Sequence, residues 1–308
     1  MIETAITTET RASFLARLEN RFSKVDIQRI MFAYDIAKEA HRPAKRDSGE
    51  RYFDHPRALA IIAMDELGWY DANMLCGLLL HDTGEDTPIW GNITKSYDAW
   101  LESATYRLQK SFSPTVANYV IRLTKPFPDG IRFKNKDEAF DFYIKYNLFG
   151  NGSHISSVLF NASVIFLKMI DRLHNLRSLQ AGMEPKIRKT IKETEEVYMK
   201  DFEITAKCEL LSDVQKADAQ KLLTLIKQEL KNLKDTYLED AIAWKIDWEL
   251  SEADWSYRKT CYYTDLGIAE WHLGAFKSMK PLTKPQEVPV STVFFRRVYI
   301  QPHCYLWM

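Results

Sequence analysis

The residues best equipped for chemistry stand in His81-Asp82-Thr83-Gly84-Glu85-Asp86, directly after the apolar run Leu78-Leu79-Leu80. One imidazole and three carboxylates so close together are metal-ligand types, and imidazole with carboxylate oxygen suits Mn, Fe or Zn better than a thiolate-seeking metal. Carboxylates left over beside a metal can move protons. A helix end whose charges face water has the same composition, so a metal centre requires further ligands elsewhere in the chain. Two segments offer them. His55-Pro56 leads into an apolar helix through Ala58, Leu59, Ile61, Ile62 and Met64, with Pro56 suited to its first turn. The apolar run from Ala162 to Ile170 ends in Asp171-Arg172-Leu173-His174-Asn175. On a helix, Asp171 shares a face either with Asn175 or with His174. Two separate core helices that end in acid and imidazole are less easily dismissed than one, because their inner ends lie where burial and neighbours perturb charged groups.

The elements that must position these residues are helical. Apolar positions at helical spacing predict two helices between residues 8 and 41, the second capped by Asp26, and a core helix from Ala72 to Leu80. A helix pair is expected over 96–123, a loop from Lys125 to Asn135 and a second loop at Gly150-Asn151-Gly152-Ser153. Residues 213–250 carry one or two polar amphipathic helices, and 288–307 suit a short hairpin or an extended tail. The expected fold class is all-α.

Composition excludes several partners. Forty-two basic residues cancel forty-two acidic ones among 308, which removes the electrostatic case for wrapping a nucleic acid or lying on an anionic membrane. Cys76, Cys208, Cys261 and Cys304 are far apart and lack CxxC spacing, as expected of thiols in a reducing compartment. No stretch reaches about 18 uninterrupted apolar residues, and Met1-Ile2-Glu3-Thr4 opens no apolar leader; the expectation is a cytoplasmic protein.

Taken together, three stretches resemble the HD-domain metal-dependent phosphohydrolases, and within them the alarmone hydrolase domain of the RelA/SpoT family and its small stand-alone forms. Ala40-His41 with Arg46-Asp47-Ser48-Gly49-Glu50-Arg51-Tyr52-Phe53-Asp54-His55-Pro56 is similar to that family's basic loop and His-Pro. Leu79-Leu80-His81-Asp82-Thr83-Gly84-Glu85-Asp86-Thr87 resembles its Leu-Leu-His-Asp and Glu-Asp-Thr, and Asp171-Arg172-Leu173-His174-Asn175-Leu176-Arg177 its Asp-Arg-Leu-His-Asn-Met-Arg. The likeness runs from about residue 28 to 200 in order and approximate spacing.

The resemblance implies that His55, His81, Asp82 and Asp171 hold one divalent metal, usually manganese, and that Glu85 and Asp86 are the acid/base pair. It also implies that Asn175, rather than His174, faces the site with Asp171. Arg46 would stack on a base, Ser48 and Asn175 would hold the nucleoside, and Ser178 and Lys192 would help with ribose or phosphate. The implied substrate is guanosine tetra- or pentaphosphate, cut at the 3′ position to pyrophosphate and GDP or GTP. Three residues depart from the pattern. Asp47 stands where a second basic residue is frequent, Arg51 replaces a frequent Pro and offers charge in compensation, and Gly84 replaces a bulkier aliphatic, which is expected to loosen the turn. The change at Asp47 motivates an alternative substrate, another 2′- or 3′-phosphorylated nucleotide such as an adenosine alarmone or NADPH.

The hydrolase is expected over residues 1–200, with 201–308 as a mostly helical extension without a resemblance. Five of the eight Trp lie between Trp244 and Trp307. Packing against the hydrolase accounts for that crowd, and a surface for a protein partner or a second copy is the sharper reading. An antitoxin-like role beside an alarmone synthetase is compatible with either. The extension is too short for a synthetase domain, so hydrolysis without synthesis is expected.

Overall fold

The computed structural model describes residues 9–46, 49–148, 155–180 and 184–237. Among them there is no strand, only one isolated bridge between Lys45 and Arg51, and the fold is all-α as expected. The expectations for 288–307 and for the loop at 150–153 lie outside the described residues.

Helix α1 (Arg11–Leu18) is closed at its start by a capping box between Thr10 and Ser13. Helix α2 (Lys24–Ala40) begins one residue after its cap, Ser23, whose hydroxyl accepts from the Asp26 backbone N–H. Asp26 is therefore not the cap but sits in the first turn, where its carboxylate favours the helix dipole and pairs with Arg29 at 3.0 Å. Helix α3 (Asp54–Ile61) carries Pro56 in its first turn and continues as a π-helical turn to Glu66.

Helix α4 (Ala72–Leu80), capped by Asp71, is the centre of the fold, and α2, α3, α7 (Pro114–Leu123) and α9 (Ile155–Arg177) all pack on it. Its sequence explains the position: beyond Asn73 in the first turn the helix is apolar all round and has no face to give to water. Gly77 permits the close approach, since a Cβ there would lie 3.0 Å from Tyr119 and 3.3 Å from Leu167. A short helix α5 (Thr83–Asp86) follows directly, then α6 (Tyr97–Ser111), whose start and that of α7 are capped by Ser96 and Ser113.

Helix α8 (Lys136–Phe142) follows the Lys125–Asn135 loop, which Asp129 ties together by accepting from the backbone N–H of Tyr97, Ile131, Arg132 and Phe133. Helix α10 (Glu184–Glu193) runs through a π turn into α11 (Met199–Ala206), and α12 (Asp213–Tyr237) lays Ala219, Leu222, Ile226 and Leu230 inward. Trp69 donates to Asp218 at 2.7 Å, and Arg177 pairs with both Glu66 and Glu229. The described residues through Lys231 thereby form one compact unit. No helix among them is long and apolar enough to cross a membrane.

Candidate active site

The first turn of α3, the inner end of α4 and the last third of α9 meet at one point. His55 Nε2 lies 3.2 Å from Asp171 Oδ1 and 3.6 Å from Asp82 Oδ2, while His81 Nε2 lies 3.0 Å from Asp82 Oδ1 and 3.8 Å from Asp171 Oδ1. Ligand atoms of His55, His81 and Asp171 all fall within 4.8 Å of one another, so these buried groups can hold a metal ion between them. His81 is oriented for that task. Its Nδ1–H donates to the Leu78 carbonyl at 2.8 Å, which turns its buried Nε2 toward the carboxylates of Asp82 and Asp171.

The electrostatics of the cluster are mutual. Burial by itself would depress His81, but the Asp82 carboxylate lifts it to about 9. Burial would likewise raise Asp82 and Asp171, and the His81 charge overrides it at Asp82, the Lys168 ammonium at Asp171, so both stay ionised well below the usual carboxylate range. His55, with burial dominant, falls to about 4. Lys168 contacts Asp171 at 2.7 Å from one turn back on α9, and Asn175 donates to the other oxygen at 2.8 Å from one turn on.

His55, Asp82, Lys168 and Asp171 form the floor of a cavity of about 340 Å³. Glu85 and Asp86, on α5, line its wall, as do Arg46, Asn175 and Ser178; Arg46 donates to Asn175 at 2.9 Å and to Ser178 at 3.4 Å. Burial pushes Glu85 up to about 6, and burial with the neighbouring Asp82 charge raises Asp86. The Tyr52 hydroxyl donates to Asp82 at 3.0 Å. Ser48 and Asp47 lie outside the described residues.

Three expectations meet a different arrangement. Lys192 is exposed, 3.9 Å from Glu196, and does not line the cavity. On α10 the inward face is Lys186, Thr190 and Glu193, at helical spacing, and residue 192 is turned away from it. Arg51 does not line the cavity either; it pairs with Asp54 at 2.9 Å. Gly84 does not loosen its turn, because Thr124 and Trp100 close over it. A Cβ there would lie 2.5 Å from the Thr124 hydroxyl and 2.9 Å from the Trp100 ring.

Sequence reasoning missed Lys125, Lys168 and Arg172, which bring positive charge to the same cavity. Lys168 had a signal, since it precedes Asp171 by one helical turn. Lys125 had none in a segment that reads as an ordinary connector. Its backbone N–H donates to Glu85 at 3.2 Å, which ties the connector to the acid.

Histidine and carboxylate ends of core helices gathered on an all-α frame are the arrangement expected of an HD-type domain, and similarity to known proteins agrees. Within that class the chain is RelA/SpoT-like. It is 32% identical over 173 residues to the bifunctional (p)ppGpp synthase/hydrolase SpoT of Escherichia coli K12, a match covering 56% of this chain and 21% of that protein. It is 30% identical over 250 residues to a guanosine-3′,5′-bis(diphosphate) 3′-pyrophosphohydrolase of Aquifex aeolicus, covering 77% and 32%. A probable enzyme of the same name from Mycoplasma genitalium is 29% identical over 196 residues, covering 62% and 24%. The matches thus span about a fifth to a third of the length of these relatives. No family model matches the sequence.

Proposed function

We propose that the chain hydrolyses the 3′-pyrophosphate of guanosine tetra- or pentaphosphate, giving pyrophosphate and GDP or GTP. The observation that carries this reading is the meeting of two buried imidazoles with Asp82 and Asp171, where His55 and both carboxylates line a cavity walled by acids and cations. His55, His81, Asp82 and Asp171 would hold one divalent cation, for which manganese is our assignment, and the convergence of His55, His81 and Asp171 ligand atoms within 4.8 Å fits such a role. When bound, the cation supplies Lewis-acid polarisation of a phosphoryl oxygen and acidifies water.

The chain's own residues do the rest. Lys125, Lys168 and Arg172 draw the phosphates inward, and Arg46, with Asn175 and Ser178, positions base and ribose. Glu85 and Asp86 exchange the protons: one leaves water as its oxygen bonds to phosphorus, and one reaches the 3′ oxygen as its bond to phosphorus breaks. A carboxyl raised to about 6 is suited to both directions near neutral pH. The hydrolase reading covers residues 1–200, with 201–308 as an extension whose 238–308 lie outside the described residues.

Incubation of the purified chain with Mn²⁺ and guanosine tetraphosphate, followed by anion-exchange separation, should yield GDP and pyrophosphate in equal amounts. No pyrophosphate with the metal restored would overturn the reading.

A further inference from the structure

The Asp171–Asn175 segment contains one polar residue that the reaction above does not use. His174 does not line the cavity. It lies behind His55, with ring centroids 4.8 Å apart and the two Nδ1 atoms separated by 2.9 Å.

Two ring nitrogens at that distance share a single hydrogen, so one donates and the other accepts. The opposite edge of His55 decides which. Its Nε2 faces Asp171 at 3.2 Å and Asp82 at 3.6 Å, inside the group of atoms able to hold a metal ion. A ring nitrogen that gives its lone pair to a cation carries no hydrogen, which places the hydrogen of a neutral His55 on Nδ1. The acceptor it meets there is His174 Nδ1.

We propose that His174 is a positioning residue for the cation centre: it accepts from His55 Nδ1–H, keeps its own hydrogen on Nε2, and so holds His55 in the tautomer whose Nε2 lone pair faces the carboxylates. The inference rests on the divalent-cation reading of the site. His81 supplies the internal comparison. Its Nδ1–H is taken by a backbone carbonyl, Leu78 O at 2.8 Å, which no substitution at 78 removes. His55 depends for the same service on a side chain, so its orientation is the one that a single substitution releases.

The test uses the full chain and two probes. Mn²⁺ affinity is measured by titration calorimetry for the wild type, His174→Ala and His174→Asn. Histidine-ring ¹⁵N NMR is recorded on the Zn²⁺-loaded wild type, Zn²⁺ being diamagnetic. Removing an outer partner of a ligating histidine is expected to weaken Mn²⁺ binding about 10- to 100-fold in His174→Ala. In His174→Asn the amide oxygen can accept the same hydrogen, and most of the affinity should return. The NMR spectrum should place the His55 hydrogen on Nδ1. Unchanged Mn²⁺ affinity in His174→Ala, or a His55 hydrogen found on Nε2 in the loaded wild type, overturns the proposal. If His174→Ala does not fold, the wild-type spectrum decides alone. A wild type that binds neither Mn²⁺ nor Zn²⁺ overturns the cation reading itself, a result distinct from metal bound with indifference to His174.

Discussion

The floor and the wall of the cavity are built from different materials. At the floor, His55 and Asp171, with His81 beside them, are each under 5% exposed, and every one is held by a partner on a core helix: His174, the Leu78 carbonyl, and Lys168 with Asn175. On the wall, Arg46 and Ser178 are half-buried and come from a loop and a helix end. The comparison teaches that the floor is a packed, mutually neutralising set in which chemistry and stability share the same contacts. The wall recognises without supporting. Substitutions should therefore fail in two ways on the floor and in one way on the wall.

The largest effect is expected at Asp171. Asp171→Ala removes a ligand and leaves the Lys168 ammonium buried without its carboxylate, which costs about 3 to 5 kcal/mol when one partner of a buried pair is lost. Turnover and Mn²⁺ binding should both vanish, and denaturant unfolding should shift to a much lower midpoint. A variant as stable as the wild type would dissolve the distinction between floor and wall.

Glu85 sharpens the comparison, because it belongs to the wall by position and to the chemistry by proposal. Glu85→Gln should slow turnover by about 10²- to 10⁴-fold while metal affinity is kept. Its effect on stability has the opposite sign. Burial lifts the Glu85 carboxyl to about 6 from an ordinary value of 4.5, so its charge costs nothing below pH 4.5 and its full penalty above pH 6. The amide should then stabilise the metal-free protein above pH 6 by about 1 to 2 kcal/mol, and not at all near pH 4, as chemical denaturation at the two pH values would record. Equal turnover of variant and wild type at saturating Mn²⁺ would make Glu85 a bystander.

The smallest effects are expected at the wall and just outside it. Arg46→Ala should raise KM about tenfold through loss of its contacts in the cavity, with melting near the wild type. Lys192→Ala, on the outer face of α10, should change kcat and KM by less than about twofold. Steady-state kinetics on the pair reads both. A large effect at Lys192 would mean that the substrate extends well beyond the cavity.

Much of the floor was legible from residue types alone. His81-Asp82 after Leu78-Leu79-Leu80 and Asp171 after Ile170 stand at the ends of runs too apolar to be anything but core, so their charges had to be buried or to lie at its edge. Arg46, named on resemblance for stacking on a base, lies in the cavity wall and donates to Asn175. The wall was less legible. Lys192 and Lys186 are both lysines on one amphipathic helix, and choosing between them requires knowing which face turns inward.

The sequence by itself determined the helical class, the apolar centre at Ala72–Leu80 and the residue types gathered at the site, because periodicity and burial tendency are local and need no partner. Tertiary structure alone decided three things: that His174 backs His55, that Lys125 lies beside Glu85, and that Gly84 is filled from outside by Trp100 and Thr124. Each is a contact across 16 to 119 positions of chain, and such contacts depend on how helices cross, which no local pattern records.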